Sequence, residues 1–578
     1  SCQFDLQINA EQWQLIRPHS IFTARNEPRR PNIKFRRRTV LPKGSWTHTL
    51  NDLIYETKKF PCTWIFRPGT GNNFVESKCK QCGATLTIAK VLDEEQSNIK
   101  LHCSVYDYDP EMKHDSAVKR KLSGIKRLQV VDSLSKMTAT SYRRELANEL
   151  MTFGDKEPPH VHSDQVYRQA KYESNLEKRL HRNPVLAIWS MKYTLPYIGS
   201  VHSCGLDPFF VHYWTSSQVA LYKKYSCENY TVLSVDATGS LINQLVPHPK
   251  PEGFYKSKHV FLYVGVLCNT YGPAVPVLQM LSQAHDTLSI TYWLQKWLTN
   301  INKKPNEVRT DDSAALIKAI ITAFTKHNSV NAYVECCCAS LSDRKLTPSC
   351  FIRLDRNHLI KAVTRWKCFV NKDFRIKKLY CHCIGLLTDL TVFSDIKQKI
   401  RELLFIALSP YENCESKNCK KTIIHFISKG LEKTLETKKL EEPEESEIGR
   451  DNESVLEYEQ SESENDWFSQ IYRTVKTQLQ ILQENEDEDN LFSLPAIVTP
   501  LQRLCHKLPL WSAVMVPNFV GSEIKSTTSY VESYFKDLKS STFQQSKLVS
   551  ADMFLMKHIN SLEGQMKLSF SKLLEVPS

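Results

Sequence analysis

An α/β layered sheet is the fold the sequence predicts for the middle of this chain, and three observations carry the prediction. The run Tyr-Thr-Val-Leu-Ser-Val at 230–235 is apolar and β-branched and leads straight into Asp236. Two further apolar runs follow, at 259–268 and 274–281, the last weakened by prolines. Beyond them, helical and extended patterns alternate. Residues 286–300 read as a helix and 307–310 as a short strand. Residues 312–324 carry Leu316, Ile317, Ile320, Ile321 and Phe324 on one helical face, and 330–339 read as a further strand. A three-strand meander followed by crossovers is an α/β sheet.

The chain has 578 residues, too many for one compact core. Residues 1–46 are expected to form a basic flexible arm: Arg25, Arg29, Arg30, Lys34, Arg36, Arg37, Arg38 and Lys43 crowd together, opposed only by Glu27. Residues 47–116 read as a small β module, and 125–185 as two or three basic helices, helix-turn-helix-like or merely connecting. Residues 345–510 read as a helical insertion, and 511–570 as closing helices. Stretches 436–466 and 484–490 are acidic and expected to be unordered. Residues 441–466 hold twelve acids and one arginine, so the net charge of +13 leaves about +24 on the remainder. That excess favours a polyanionic partner. No apolar run approaches the roughly 18 residues of a membrane helix. The pattern predicts a soluble intracellular chain without membrane association, its basic arm doubling as a nuclear-import signal.

Eighteen cysteines in so long a chain are not a secreted disulfide scaffold. Cys79-Lys-Gln-Cys82 is a chelating knuckle, and zinc takes four soft or borderline ligands. Cys79, Cys82, Cys103 and His114 form the expected set, with Cys62 or His102 as replacements for one of them. Cys336, Cys337 and Cys338 read as strand residues.

Cleavage of DNA needs divalent cations held by carboxylates that converge from separate elements. Asp236 and Asp311 both follow strands that a meander-then-crossover sheet makes neighbours. In residues 526–539 the apolar Val531, Tyr534, Phe535 and Leu538 mark a buried helical face, and Glu532, Lys536 and Lys539 run beside it. By spacing alone, an ordinary surface Glu–Lys pair explains that stripe as well.

Together these segments resemble the Mutator-like element transposases. Thr310-Asp311-Asp-Ser-Ala-Ala-Leu316-Ile-Lys-Ala319-Ile320 matches their strand–Asp–helix pattern, and Val531-Glu532-Ser533 their late helix; Asp355-Arg-Asn-His358 matches the C/D-x-x-H motif of related superfamilies. The match spans about residues 228–540; Asp in place of Cys before x-x-His, and no C-terminal zinc knuckle, are departures. The resemblance implies an RNase H-like mixed sheet over 228–340, with a helical insertion, completed by 511–570. It implies Asp236, Asp311 and Glu532 as catalytic ligands of Mg²⁺ or Mn²⁺, and a structural role near the site for Asp355 and His358. The N-terminal module, with zinc, resembles the WRKY/GCM or FLYWCH fingers of such enzymes. The implied function is transposition: binding element ends and target as double-stranded DNA, cleaving, and transferring strands in the nucleus as a homo-oligomer. Arg29, Arg30, Arg36, Arg37, Arg38, Lys536 and Lys539 are the expected DNA contacts. A domesticated, inactive DNA-binding derivative is the alternative.

Overall fold

The computed structural model describes residues 1–25, 34–89, 99–115, 118–155, 157–243, 259–268, 274–437, 467–481, 488–543 and 549–575. They divide into two compact units, Ser1–Arg179 and Leu180–Ser578.

The first unit runs β1 (Cys2–Ile8), α1 (Ala10–Ile16), β2 (His19–Arg25), β3 (Lys34–Val40), α2 (Trp46–Lys58), β4 (Trp64–Pro68), β5 (Asn73–Cys79), β6 (Thr85–Ala89), β7 (Ile99–Tyr106), α3 (Gly124–Lys136), α4 (Ala139–Leu150) and α5 (Asp164–Glu177). Strands β1-β7-β6-β5-β4 form one antiparallel sheet, and β2-β3 a two-stranded sheet of their own. The flexible arm expected over 1–46 is therefore corrected over its described residues, 1–25 and 34–46, while 26–33 lie outside the described residues. Phe4, Leu6 and Ile8 alternate with exposed polar residues and are buried in one core with Leu50, Val75, Leu86 and Leu101. Asn9 and Gln12 cap α1 reciprocally, so the chain enters that helix by a built start. The β module is consequently larger than 47–116, because its edge strand comes from the N-terminus. The described residues of 125–185 carry α3, α4 and α5; Thr138 accepts a bond from the Ser141 N–H and divides the long periodic stretch into α3 and α4.

The second unit runs α6 (Pro184–Met191), β8 (Val201–Leu206), β9 (Phe209–Tyr213), α7 (Ser216–Glu228), β10 (Val232–Thr238), β11 (Phe261–Cys268), β12 (Val275–Ser282), α8 (Thr287–Leu298), β13 (Glu307–Thr310), α9 (Ala314–Phe324), α10 (Val330–Ser340), β14 (Phe351–Leu354) and α11 (Arg356–Thr364). Then come α12 (Phe374–Leu387), α13 (Phe393–Leu408), α14 (Cys414–Thr437), α15 (Trp467–Ile481), α16 (Val498–His506), α17 (Leu508–Trp511), α18 (Ser529–Asp537) and α19 (Ala551–Glu575). The sheet order is β14-β13-β10-β11-β12-β9-β8. Strands β10, β13 and β14 are parallel neighbours, and the remaining pairs are antiparallel. Every residue of β12 is buried, as a strand covered on both faces requires. Helices α7, α8 and α9 cover one face, and α6, α18 and α19 the other. At Gly265 a Cβ would lie 2.1 Å from Leu278 Cδ2, so glycine there lets β11 and β12 close at their register shift.

Residues 330–339, expected as a strand, are helix α10. Ser329 caps it, and Tyr333, Cys337 and Ser340, four and three apart, are its buried residues, a helical period rather than a strand's. The fifth strand of the meander-and-crossover set is β14, so the helical insertion begins after it, not at 345. Of the segments expected to be unordered, 438–466 and 482–487 lie outside the described residues. Residues 488–490 are corrected: Asp489 bridges Tyr411, and the buried Asn490 side chain donates to the Ile406 and Ser409 carbonyls. Among the described residues no helix is long and apolar enough to cross a membrane.

Candidate functional site

The parallel register aligns three acids. Val235 pairs with Thr310, and Thr310 with Leu354, so Asp236, Asp311 and Asp355 follow at one level where the parallel pairing ends, Asp311 and Asp355 directly after β13 and β14 and Asp236 inside β10, two residues before its end. Ligand sites of α/β sheets collect at that edge. Helix α18 packs on β10 and β11, with Val531, Tyr534, Phe535 and Leu538 buried as its period requires and Glu532 half-exposed beside them. Lys536 and Lys539 lie exposed.

His358 ties the cluster together. Its Nδ1 lies 2.6 Å from Asp311 Oδ1 and its Nε2 lies 3.4 Å from Glu532 Oε1. The contact with Asp311 raises the imidazole to about 9, against the opposing effect of burial, with Asp355 and Glu532 adding to the rise. Asp236 moves well above the usual carboxylate range, first through burial and then through the charge of Asp311. A buried acid with a second carboxylate beside it is a place where a cation is favoured. Asp312 is turned away from this group, its Oδ1 lying 3.4 Å from Lys507 Nζ.

Asp355 sits deeper than the rest and is spent on backbone. One oxygen accepts the His358 N–H at 2.7 Å, capping α11; the other accepts the Thr528 N–H at 2.7 Å, at the start of α18. One carboxylate thus fixes the starts of the helices that carry His358 and Glu532. Thr528 occupies the cap position of α18 but makes no side-chain capping bond.

A buried charge network that the sequence reading missed holds the chain leading into α18. Glu307, Arg309 and Arg353 are all at most 2% exposed. Glu307 accepts from Arg309 Nε at 2.7 Å and from Ser522 Oγ at 2.5 Å. Arg353 donates to the carbonyl oxygens of Glu523 and Ile524 at 2.5 and 2.6 Å. Residues 522–528 are therefore clamped to β13 and β14, and Glu532 inherits its position from that clamp. The available signal was an arginine in the middle of each of two short apolar strands, Glu-Val-Arg-Thr and Phe-Ile-Arg-Leu.

In the first unit, Cys62, Cys79, Cys82 and His114 bring their ligand atoms within 4.8 Å of one another, the one such group among the described residues. Cys62 Sγ lies 3.8 Å from Cys82 Sγ and 3.6 Å from His114 Nε2; Cys79 Sγ is also 3.6 Å from that nitrogen. The edge of a tetrahedron with Zn–S bonds of ~2.3 Å is ~3.75 Å, so these spacings fit a zinc ion. A hydrogen bond from Cys62 pulls Cys79 down to about 4, whereas burial raises Cys82. The expected ligand Cys103 is corrected to Cys62. Cys103 lies inside β7, pairs with Ile88 and Phe4, and contacts the Leu101 carbonyl instead. Cys62 precedes β4, whose Trp64 pairs with Cys79, and so meets the knuckle. His102 turns to Asp5.

Of the expected DNA contacts, Arg37 and Arg38 are exposed on β3, and Arg37 Nε donates to Ser20 Oγ at 3.0 Å. Arg36 is in β3, and Arg29 and Arg30 lie outside the described residues. Cys336, Cys337 and Cys338 are helical, in α10.

An α/β chain with acids gathered at a sheet edge, and with a Cys₃His cluster that could bind zinc, is thus defined by its geometry. Its sequence is related to that of a transposable-element protein. It is 30% identical over 582 residues to the 120.7 kDa protein in NOF-FB transposable element of Drosophila melanogaster, covering 98% of this chain and 52% of that protein. The chain spans about half the length of that relative. No family model matches it.

Proposed function

We propose that this chain is a DDE-type DNA transposase with an RNase H-like catalytic core, of the Mutator-like kind. It binds element ends and target as double-stranded DNA in the nucleus, acting as a homo-oligomer. The observation that carries the reading is the convergence of Asp311 and Glu532 on His358 beside Asp236, at the carboxyl end of parallel strands. The strand order, three antiparallel strands flanked by two parallel ones at β10, supports an RNase H-like core, and kinship with a transposable-element protein supports a transposon-derived activity.

The donor set suits hard divalent cations: carboxylate oxygens, Asp236 among them raised by burial and by the charge of Asp311, with an imidazolium as counter-charge. Asp236, Asp311 and Glu532 would hold Mg²⁺ or Mn²⁺. Such ions activate a water or 3′-hydroxyl nucleophile and stabilise the departing oxygen. The chain's own contribution is orientation. Asp355 locks the starts of α11 and α18, and His358 stands between Asp311 and Glu532. Lys536 and Lys539 extend the Glu532 stripe and meet phosphates, while Cys62, Cys79, Cys82 and His114 hold structural zinc in the DNA-binding module.

The test is incubation of the purified chain with duplexes carrying the ends of its own element, with Mg²⁺ or Mn²⁺. Nicking or strand transfer that disappears in Asp236→Asn, with DNA affinity kept, is the expected result. Binding without cleavage under every condition would establish the domesticated, inactive derivative instead.

A further inference from the structure

We infer that the β2–β3 hairpin is a paired ribbon that lies in the major groove of duplex DNA, an inference that rests on the DNA-directed function proposed above and gives it a binding element. His19–Arg25 pairs along its whole length with Lys34–Val40, in a sheet separate from the five-stranded one.

The register sorts the charges. Cross-strand partners share a face of an antiparallel pair. Positions Ile21↔Arg38, Thr23↔Arg36 and Arg25↔Lys34 are of one parity, whereas Phe22↔Arg37 and Ala24↔Phe35 are of the other. Four cationic positions therefore fall on one face, and one cationic and two phenylalanine positions on the opposite face. Phe22 is 70% exposed, and Arg37 and Arg38 are exposed too. Phe22 stands directly across from Arg37, so this face offers a partner an apolar and a cationic contact side by side. The two strands, His19–Arg25 and Lys34–Val40, together hold five Lys and Arg and no acid.

Size and charge agree on the occupant. Seven-residue strands are ~24 Å long, and two strands lie ~5 Å apart, so the ribbon with its side chains matches a groove ~12 Å wide. B-form DNA admits a two-stranded ribbon there, and offers guanine N7 and O6 to arginine and the thymine methyl to apolar side chains. The deep, narrow major groove of duplex RNA does not admit it.

The test uses the full chain on a 30-base-pair DNA duplex from the element end, on the same sequence as duplex RNA, and in dimethyl sulfate footprints, which read guanine N7 in the major groove and adenine N3 in the minor. Combined Arg36→Ala, Arg37→Ala and Arg38→Ala is expected to weaken DNA binding by about 30-fold or more. Phe22→Pro and Thr23→Pro keep every charge, yet one of these neighbouring N–H groups faces β3, so one variant must break the pairing; that variant is expected to lose a similar factor. Wild-type footprints should protect guanine N7, a result that depends on no variant. Protection confined to adenine N3, both proline variants binding like wild type, or equal affinity for duplex RNA would each overturn the ribbon. A wild-type chain that binds no duplex DNA would overturn the ribbon and the proposed function together.

Discussion

The thiol cluster of the first unit and the acid cluster of the second are assembled in opposite ways. Cys62, Cys79, Cys82 and His114 come from one stretch of chain, residues 62–114, which carries the antiparallel strands β4–β7, with no counter-charge among them. The acids come from three strands and a helix; 221 residues separate Asp311 from Glu532, and His358 stands in as counter-charge. Ligands that are local in the chain are held chiefly by what they bind. Ligands that are distant must be held by the fold. Removing a metal should thus cost the first region its structure and the second only its chemistry.

Arg353→Met is expected to have the largest effect on this contrast. It leaves Glu307 buried beside a single remaining arginine and frees residues 522–528, so a loss of about 3–5 kcal/mol is expected by denaturant unfolding. Cleavage should vanish where zinc content stays at the wild-type level. If cleavage survives, the clamp does not position Glu532.

The thiol cluster separates two cysteines of similar burial. Cys62→Ser should abolish zinc uptake, read by metal analysis, and expose β4–β7 to hydrogen exchange. Cys103→Ser should keep its zinc and lose only about 1–3 kcal/mol, from a hydroxyl buried in an apolar strand. The reverse pattern would return Cys103 to the ligand set.

The acid cluster makes a pH prediction. His358 is raised from 6.5 to about 9, so its contribution to metal-free stability is complete below pH 6.5 and is lost as pH climbs through about 9. The melting temperature in chelator should fall across that window, and His358→Gln should flatten the fall; identical profiles would remove the imidazolium from the account. Lys539→Ala should have the smallest effect, a few-fold loss of DNA affinity with the salt slope reduced by about one. An unchanged slope would mean that this exposed lysine meets no phosphate.

How far the sequence revealed this depended on whether a signal was periodic or topological. The apolar runs ending at Asp236 and Asp311, and the Val531–Leu538 stripe, are local patterns, and each stands in the structure as a strand or helix of the expected kind. Residues 330–339 misled because three cysteines and two valines read as extended, while the four-residue spacing of Tyr333 and Cys337 was the better guide. The edge strand β1 was hidden behind the basic run that follows it, although its alternation was visible. Cys62 against Cys103 turned on which strands are neighbours, a question spacing cannot answer. The Glu307–Arg309–Arg353 network likewise exists only once β13 and β14 are adjacent.

The most direct test is a Mn²⁺ titration of the full chain, followed by electron paramagnetic resonance, in wild type and in Asp236→Asn, Asp311→Asn, Glu532→Gln and Asp312→Asn. Wild type and Asp312→Asn should bind Mn²⁺ alike, because Asp312 faces Lys507 rather than the cluster, while the other three should each weaken binding by at least about tenfold. Undiminished Mn²⁺ binding in Asp236→Asn and Asp311→Asn, or a loss confined to Asp312→Asn, would contradict the assignment of this sheet edge as the metal site.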